Sequence, residues 1–132
     1  MNTIEDRTEI SVLVKTFYNK IKEDAFIGPI FLKAIPEHEW EVHLEKLTDF
    51  WETNLFFKKK YKGNPMQVHV ELDVKNNYTI TQKHFEKWLE LWMSTLDELF
   101  VGEKALKAKE SARNISFMLF LKILTNKPNS VV

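Results

Sequence analysis

Four histidines, at positions 38, 43, 69 and 84, are the side chains best suited to hold a metal in a chain that contains no cysteine. Neutral imidazole is the usual nitrogen ligand once thiolates are absent. The missing cysteines also exclude disulfides, thiolate nucleophiles, iron–sulfur clusters and covalent Cys-x-x-Cys-His haem attachment. Spacing narrows the chemistry further. A zinc-protease His-Glu-x-x-His helix needs a second histidine four residues after the first, but four after His38 stands Val42, and His43 falls on another face. A carboxylate-bridged di-iron bundle needs Glu three residues before His, where Ile35, Trp40, Met66 and Thr81 stand instead. The three glycines are too scattered for a phosphate loop, and there is no Gly-x-Ser-x-Gly elbow. What survives is a set of single histidines among apolar neighbours.

The segments that carry them have a helical period. Ile10, Leu13, Val14, Phe17, Tyr18 and Ile21 form one stripe that ends near Gly28-Pro29, after which Ile30 to Pro36 reads as a short turn. Trp40, His43, Leu44, Leu47, Phe50, Trp51 and Leu55 form a second stripe, with His43 on its buried face and Asp49 and Glu52 outside it. Beyond the breaker Gly63-Asn64-Pro65, a short helix is expected to carry Met66, His69, Val70 and Leu72, followed by an irregular stretch from Asp73 to Tyr78. Thr81 is a candidate N-cap for a third long helix with Phe85, Trp88, Leu89, Trp92, Leu96 and Leu99 inward, ended by Gly102. A fourth runs from about Glu103 to Thr125 with Ala105, Leu106, Ala112, Ile115, Leu119 and Ile123 on its stripe, and Lys127 to Ser130 reads as a frayed tail. With no two-residue alternation and no internal repeat, the fold class is all-α.

Composition bounds the function. The 132 residues suit a single domain, 1–132, with its core over about 8–125, and 13% aromatic residues supply a rigid interior. Nineteen basic residues balance nineteen acidic ones, leaving no long-range field for nucleic acid or anionic membranes. The first residues carry no basic leader or apolar core of a signal peptide, and the longest apolar run, Phe117 to Leu121, is far short of a membrane span. A cytoplasmic location is therefore expected. The run Lys58 to Lys62 reads as a solvated face.

Five ordered blocks tie these pieces to a known family: Phe17-Tyr18, Gly28-Pro29-Ile30-Phe31, Trp40-x-x-His43 through Phe50-Trp51, Tyr61-x-Gly63-x-Pro65-x-x-x-His69, and His84-Phe85-x-x-Trp88-Leu89-x-Leu91-Trp92. Together they resemble the truncated haemoglobins of bacteria, the third group above all, over roughly residues 10 to 122. The resemblance implies a globin-like, two-over-two helical sandwich around haem b, iron protoporphyrin IX. It makes His69 the proximal iron ligand, with its second ring nitrogen on a backbone carbonyl or similar acceptor. On the opposite face it points to Tyr18, His43 and Trp88 as donors toward an oxygen ligand of partial negative charge. Phe31, Leu47, Phe50, Trp51 and Met66 become pocket walls, and Tyr61 and Lys62 propionate contacts. Relatives carry a short proline-bearing connection after the proximal histidine, whereas Val70 to Ile80 here is proline-free and longer.

The functions that follow are binding of O2, NO or CO, with possible nitric oxide dioxygenase-type chemistry that would need a separate reductase. A peroxidase-like enzyme using His43 as base is the alternative on the same iron. A haem-free helical interaction module is the alternative without it. A monomer or weak dimer is expected.

Overall fold

The computed structural model describes residues 2–58, 61 and 63–128. Its helices in chain order are α1 (Arg7–Glu23), α2 (Gly28–Ala34), α3 (Trp40–Phe56), α4 (Pro65–Lys75), α5 (Gln82–Leu99) and α6 (Glu103–Asn126), with a single 3-10 turn at Glu37–Glu39. Among the described residues there is no strand, as the periodicity predicts, and no helix is long and apolar enough to cross a membrane.

Local chemistry sets the helix ends. Asp6 opens α1 through a capping box, its carboxylate accepting the Thr8 amide while Glu9 accepts the Asp6 amide. Thr81 caps α5 as the sequence suggests, but its partner at the third helical position is His84, whose Nδ1 accepts the Thr81 amide at 2.9 Å. The segment from Ile30, expected as a turn, is instead the rear of helix α2. Its Gly28-Pro29 start places proline in the first turn, where a missing amide costs nothing. Gly28 also lets α2 begin against the end of α1, since a Cβ there would lie 2.8 Å from the carbonyl oxygens of Ile21 and Lys22. α5 ends at Leu99, before Gly102, which serves as the N-cap of α6 at φ +101°.

Helix α1 packs on α3 and on α5, and α5 packs on α6, so the four long helices lie as two pairs. The main core between them is aromatic. Phe17 sits edge-on to Tyr18, Trp88 and Trp92, with ring centroids 4.8–5.5 Å apart, and Trp92 lies between Trp51 and Trp88, stacked on both. A second, smaller core joins Ile80, Phe85, Leu119 and Ile123, with Met66 and Leu72 against it. Helix α4 rests on α6 at this second core.

Three sequence expectations change here. Leu106 is 62% exposed, and Ala108 takes the buried place on α6. The irregular stretch begins later than expected, because Asp73, Val74 and Lys75 remain helical. Glu52 lies inside the fold rather than outside the stripe: its carboxylate is 5% exposed and accepts from Arg7 Nη1 at 2.8 Å, with Asp49 on the same nitrogen at 2.7 Å.

Arg7→Met therefore strands a buried carboxylate. Breaking such a pair typically costs ~3–5 kcal/mol. With a third of the Arg7 side chain exposed and Lys58 3.7 Å from Glu52, we expect about 2 kcal/mol, a fall of roughly 6–10 °C in Tm. Thermal unfolding of R7M and of R7M/E52Q checks this, the double variant recovering part of the loss.

Candidate functional site

One apolar cavity opens between α1, α2, α3, α4, α5 and α6, holding about 1090 Å3 of space between atoms, part of it continuous with solvent. Each element contributes through the face its period points inward. Tyr18 comes from α1, Phe31 from α2, His43, Leu47, Phe50 and Trp51 from α3, His69 from α4, and Trp88 from α5. Tyr61 lines it from the connection before α4. Residues that the sequence placed up to 70 positions apart are thus in one wall.

His69 has one ring nitrogen engaged and one free. Its Nδ1 donates to the Pro65 carbonyl at 2.6 Å, four residues back on the same helix. A carbonyl can only accept, so Nδ1 carries the proton and Nε2 keeps its lone pair free. Burial pulls the imidazole's basicity down, with the Pro65 bond opposing it, so the ring stays neutral.

His43 lines the same cavity, and its Nε2 is buried with no hydrogen-bond partner. An orphan of this kind is rare in a folded interior and marks the place of a missing polar partner. Its pKa is pushed down to about 4, first by burial, then by the charge of Lys46 and by His69. Tyr18 packs edge-on against His43, with ring centroids 5.7 Å apart. Burial raises the Tyr18 phenol well above its ordinary range, with the neighbouring Trp88 side chain working the other way. Tyr18 lines the same cavity.

Some assignments move. Met66 is absent from the cavity wall and packs instead against Ile80, Phe85, Leu119 and Ile123. Lys62 lies outside the described residues. His38 is exposed on the 3-10 turn. The wall also includes residues that were given no site role in the sequence: Ile30, Val68, Leu72, Ile80, His84 and Phe85 among them. Leu72 and Phe85 were on the predicted apolar segments, so periodicity carried a signal for both, and Phe85 also stood in the last of the five blocks. Thr-x-x-His at 81–84 carried that of His84, as a variant of the usual capping pattern.

A pH dependence follows for the haem-free protein. The folded state holds His43 at about 4, whereas an unfolded histidine titrates near 6.5. Between those values the unfolded chain binds the extra proton, so stability rises with pH through the window and falls on acidification from 6.5. His69 and His84, both lowered first by burial, add in the same direction. Urea midpoints at pH 7 and pH 5 should show the wild type losing more than His43→Leu.

Four helices in two crossed pairs, closing on a cavity with a free imidazole nitrogen and polar donors in its wall, define a globin of the shortened two-over-two kind. Comparison with solved structures agrees. The group III truncated hemoglobin of Campylobacter jejuni superposes with a TM-score of 0.84 at 26% identity, covering 98% of this chain and all of that one. The 2/2 hemoglobin of Synechococcus sp. PCC 7002, solved in the cyanomet state and with covalently attached haem, shares the fold at a TM-score of 0.69 and 19% identity, over 92% and 94% of the two chains. In sequence, the group 3 truncated hemoglobin of Campylobacter jejuni is 32% identical over 100 residues, 74% of this chain and 75% of that protein. The family model for bacterial-like globins matches residues 2–121. The chain belongs to the bacterial-like globin family.

Family membership implies haem, and the residues present fit it. The fit rests on an apolar cavity, one imidazole with a free Nε2, and a second whose buried Nε2 lacks a partner. Among the described residues no three His, Asp or Glu side chains gather to hold a bare metal ion. A single imidazole suffices only when a macrocycle supplies the other ligands.

Proposed function

We propose that the protein binds haem b with His69 Nε2 as the proximal ligand and holds O2, NO or CO on the opposite face. The observation that carries this is the tautomer of His69, fixed by the Pro65 carbonyl with its ligating nitrogen left free on the wall of an apolar cavity. Bound haem supplies the iron that takes the gas. The chain's own residues do the rest.

Tyr18, Trp88 and His43 form the polar side of the cavity. Tyr18 lines the cavity and can direct its proton at a ligand, and an Nε2-protonated His43 adds a second donor. Fixed donors in a water-poor pocket act strongly on a ligand that carries negative charge. Phe31, Leu47, Phe50 and Trp51 exclude water and clamp a flat group. Tyr61 stands edge-on to Phe50 at 5.2 Å and serves a carboxylate at the cavity rim. A basicity of about 4 makes His43 a weak base at neutral pH, which favours gas holding over peroxide cleavage, where a base near the working pH is needed.

An absorption spectrum tests the reading. Protein reconstituted with haem, reduced and exposed to CO should give a sharp, shifted Soret band. A colourless protein after reconstitution would leave only the helical interaction module. If O2 complexes treated with NO convert to ferric protein and nitrate, the dioxygenase-type activity is present, and its turnover then requires an external reductase.

A further inference from the structure

The hydrogen bond from His69 to Pro65 lies wholly within α4. It fixes the ring relative to its own helix but leaves open what fixes that helix relative to the rest of the protein. Apolar packing on α6, through Met66 and Leu72 against Leu119 and Ile123, supplies adhesion. Packing of this type is non-directional and tolerates rotation and sliding. A directional tie has to come from polar atoms.

Asp73 provides it. It stands one turn beyond His69, and residues four apart lie on the same side of a helix. Its side chain is 3% exposed, and both carboxylate oxygens accept from Lys127 Nζ at 3.0 Å. One of them also accepts the Ile80 amide at 3.0 Å. Lys127 is the C-cap residue of α6 and donates in addition to the Tyr78 carbonyl at 2.8 Å. Two consecutive left-handed residues, Asn77 at φ +57° and Tyr78 at φ +61°, bring that carbonyl back to the end of α4. Among the described residues no other side chain of α4 bonds to a different helix. The expected frayed tail is therefore, at Lys127, a structural tie.

We infer that Lys127, acting through Asp73, is a positioning residue for His69: it fixes how α4 is turned on α6 and hence the direction of the imidazole toward a haem iron. The inference rests on the haem reading above. A buried ion pair adds little net stability compared with apolar packing, and its best attested use is to specify one arrangement among several. Here the arrangement specified is the rotation of the ligand-bearing helix. Partners that orient a ligating histidine typically change metal affinity by ~10–100-fold when removed.

The test uses haem-reconstituted protein and reads the iron–histidine bond directly. In the ferrous, gas-free form, resonance Raman of K127M should show the Fe–His stretch shifted and broadened against wild type, with haem transfer to an acceptor apoprotein about tenfold faster. K127R, which keeps the cation, should restore both. K127Q keeps a donor for the Tyr78 carbonyl without the charge and serves if K127M does not fold; it should lie between the two. A K127M or K127Q protein with a lowered Tm but a wild-type Fe–His stretch and haem-transfer rate overturns the inference, since Lys127 would then only stabilise the fold. Failure of the haem reading itself looks different, because the wild type would then show no Soret band at all.

Discussion

His69→Ala should abolish stable haem binding while leaving the helices in place. The side chain contributes an imidazole whose Nε2 lone pair is left free on the cavity wall by the Nδ1–H bond to Pro65, a bond that lies inside α4. Loss of a mere orienting partner costs ~10–100-fold in affinity, so removing the ligand itself should exceed the upper end of that range. Far-ultraviolet circular dichroism is expected to match wild type, and the Soret band should disappear on gel filtration. His69→Gly with added imidazole should recover a proximal bond and much of the colour. An H69A protein that keeps its haem and its CO spectrum would remove His69 from the centre of the site.

The second large effect concerns ligand escape. Tyr18 is 6% exposed and lines the cavity, which is the outlet for its proton. A hydrogen bond to a charged group is worth ~1.5–3 kcal/mol. Tyr18→Phe should therefore speed O2 dissociation by tenfold or more, measured by stopped-flow displacement. CO carries little charge and should respond far less, which separates lost hydrogen bonding from a merely loosened pocket. Because Tyr18 and Trp88 line one cavity and would act on the same ligand, the effects of Y18F and W88F should fall short of additivity in the double variant. Equal acceleration for both gases would count against the donor role.

The parts of this molecule that were legible in the sequence are those governed by local periodicity. The stripes of α1, α3 and α5 are amphipathic over four or more turns, and their inward apolar residues are found in the main core, except Phe85, which joins the second. The cavity wall followed from the same stripes, since Tyr18, His43 and Trp88 are simply their polar-tipped members. Helix α2 was hidden because seven residues are too few for a period to show, and Gly28-Pro29 reads as a breaker although proline is at home in a first turn. The two buried carboxylates could not be read locally. Glu52 is taken inside by Arg7, 45 residues earlier, and Asp73 by Lys127, 54 residues later. Charge on a helix face signals water unless a distant cation answers it, and no short pattern announces that answer. Leu106 failed in the opposite sense, as an apolar residue left in solvent one step off a stripe that Ala108 completes.

The stacked indoles have a practical consequence. Trp51 and Trp88 both face the cavity, and Trp92 lies between them, 4.5 Å and 6.0 Å from their rings at interplanar angles of 22° and 5°. Three of the four emitters in the chain thus form one column beside the place where a strongly absorbing macrocycle would lie. Light taken up by that column has a near acceptor when the pigment is loaded and none when it is not. The intrinsic fluorescence of the protein should be bright when empty and dark when filled, giving a label-free titration of occupancy.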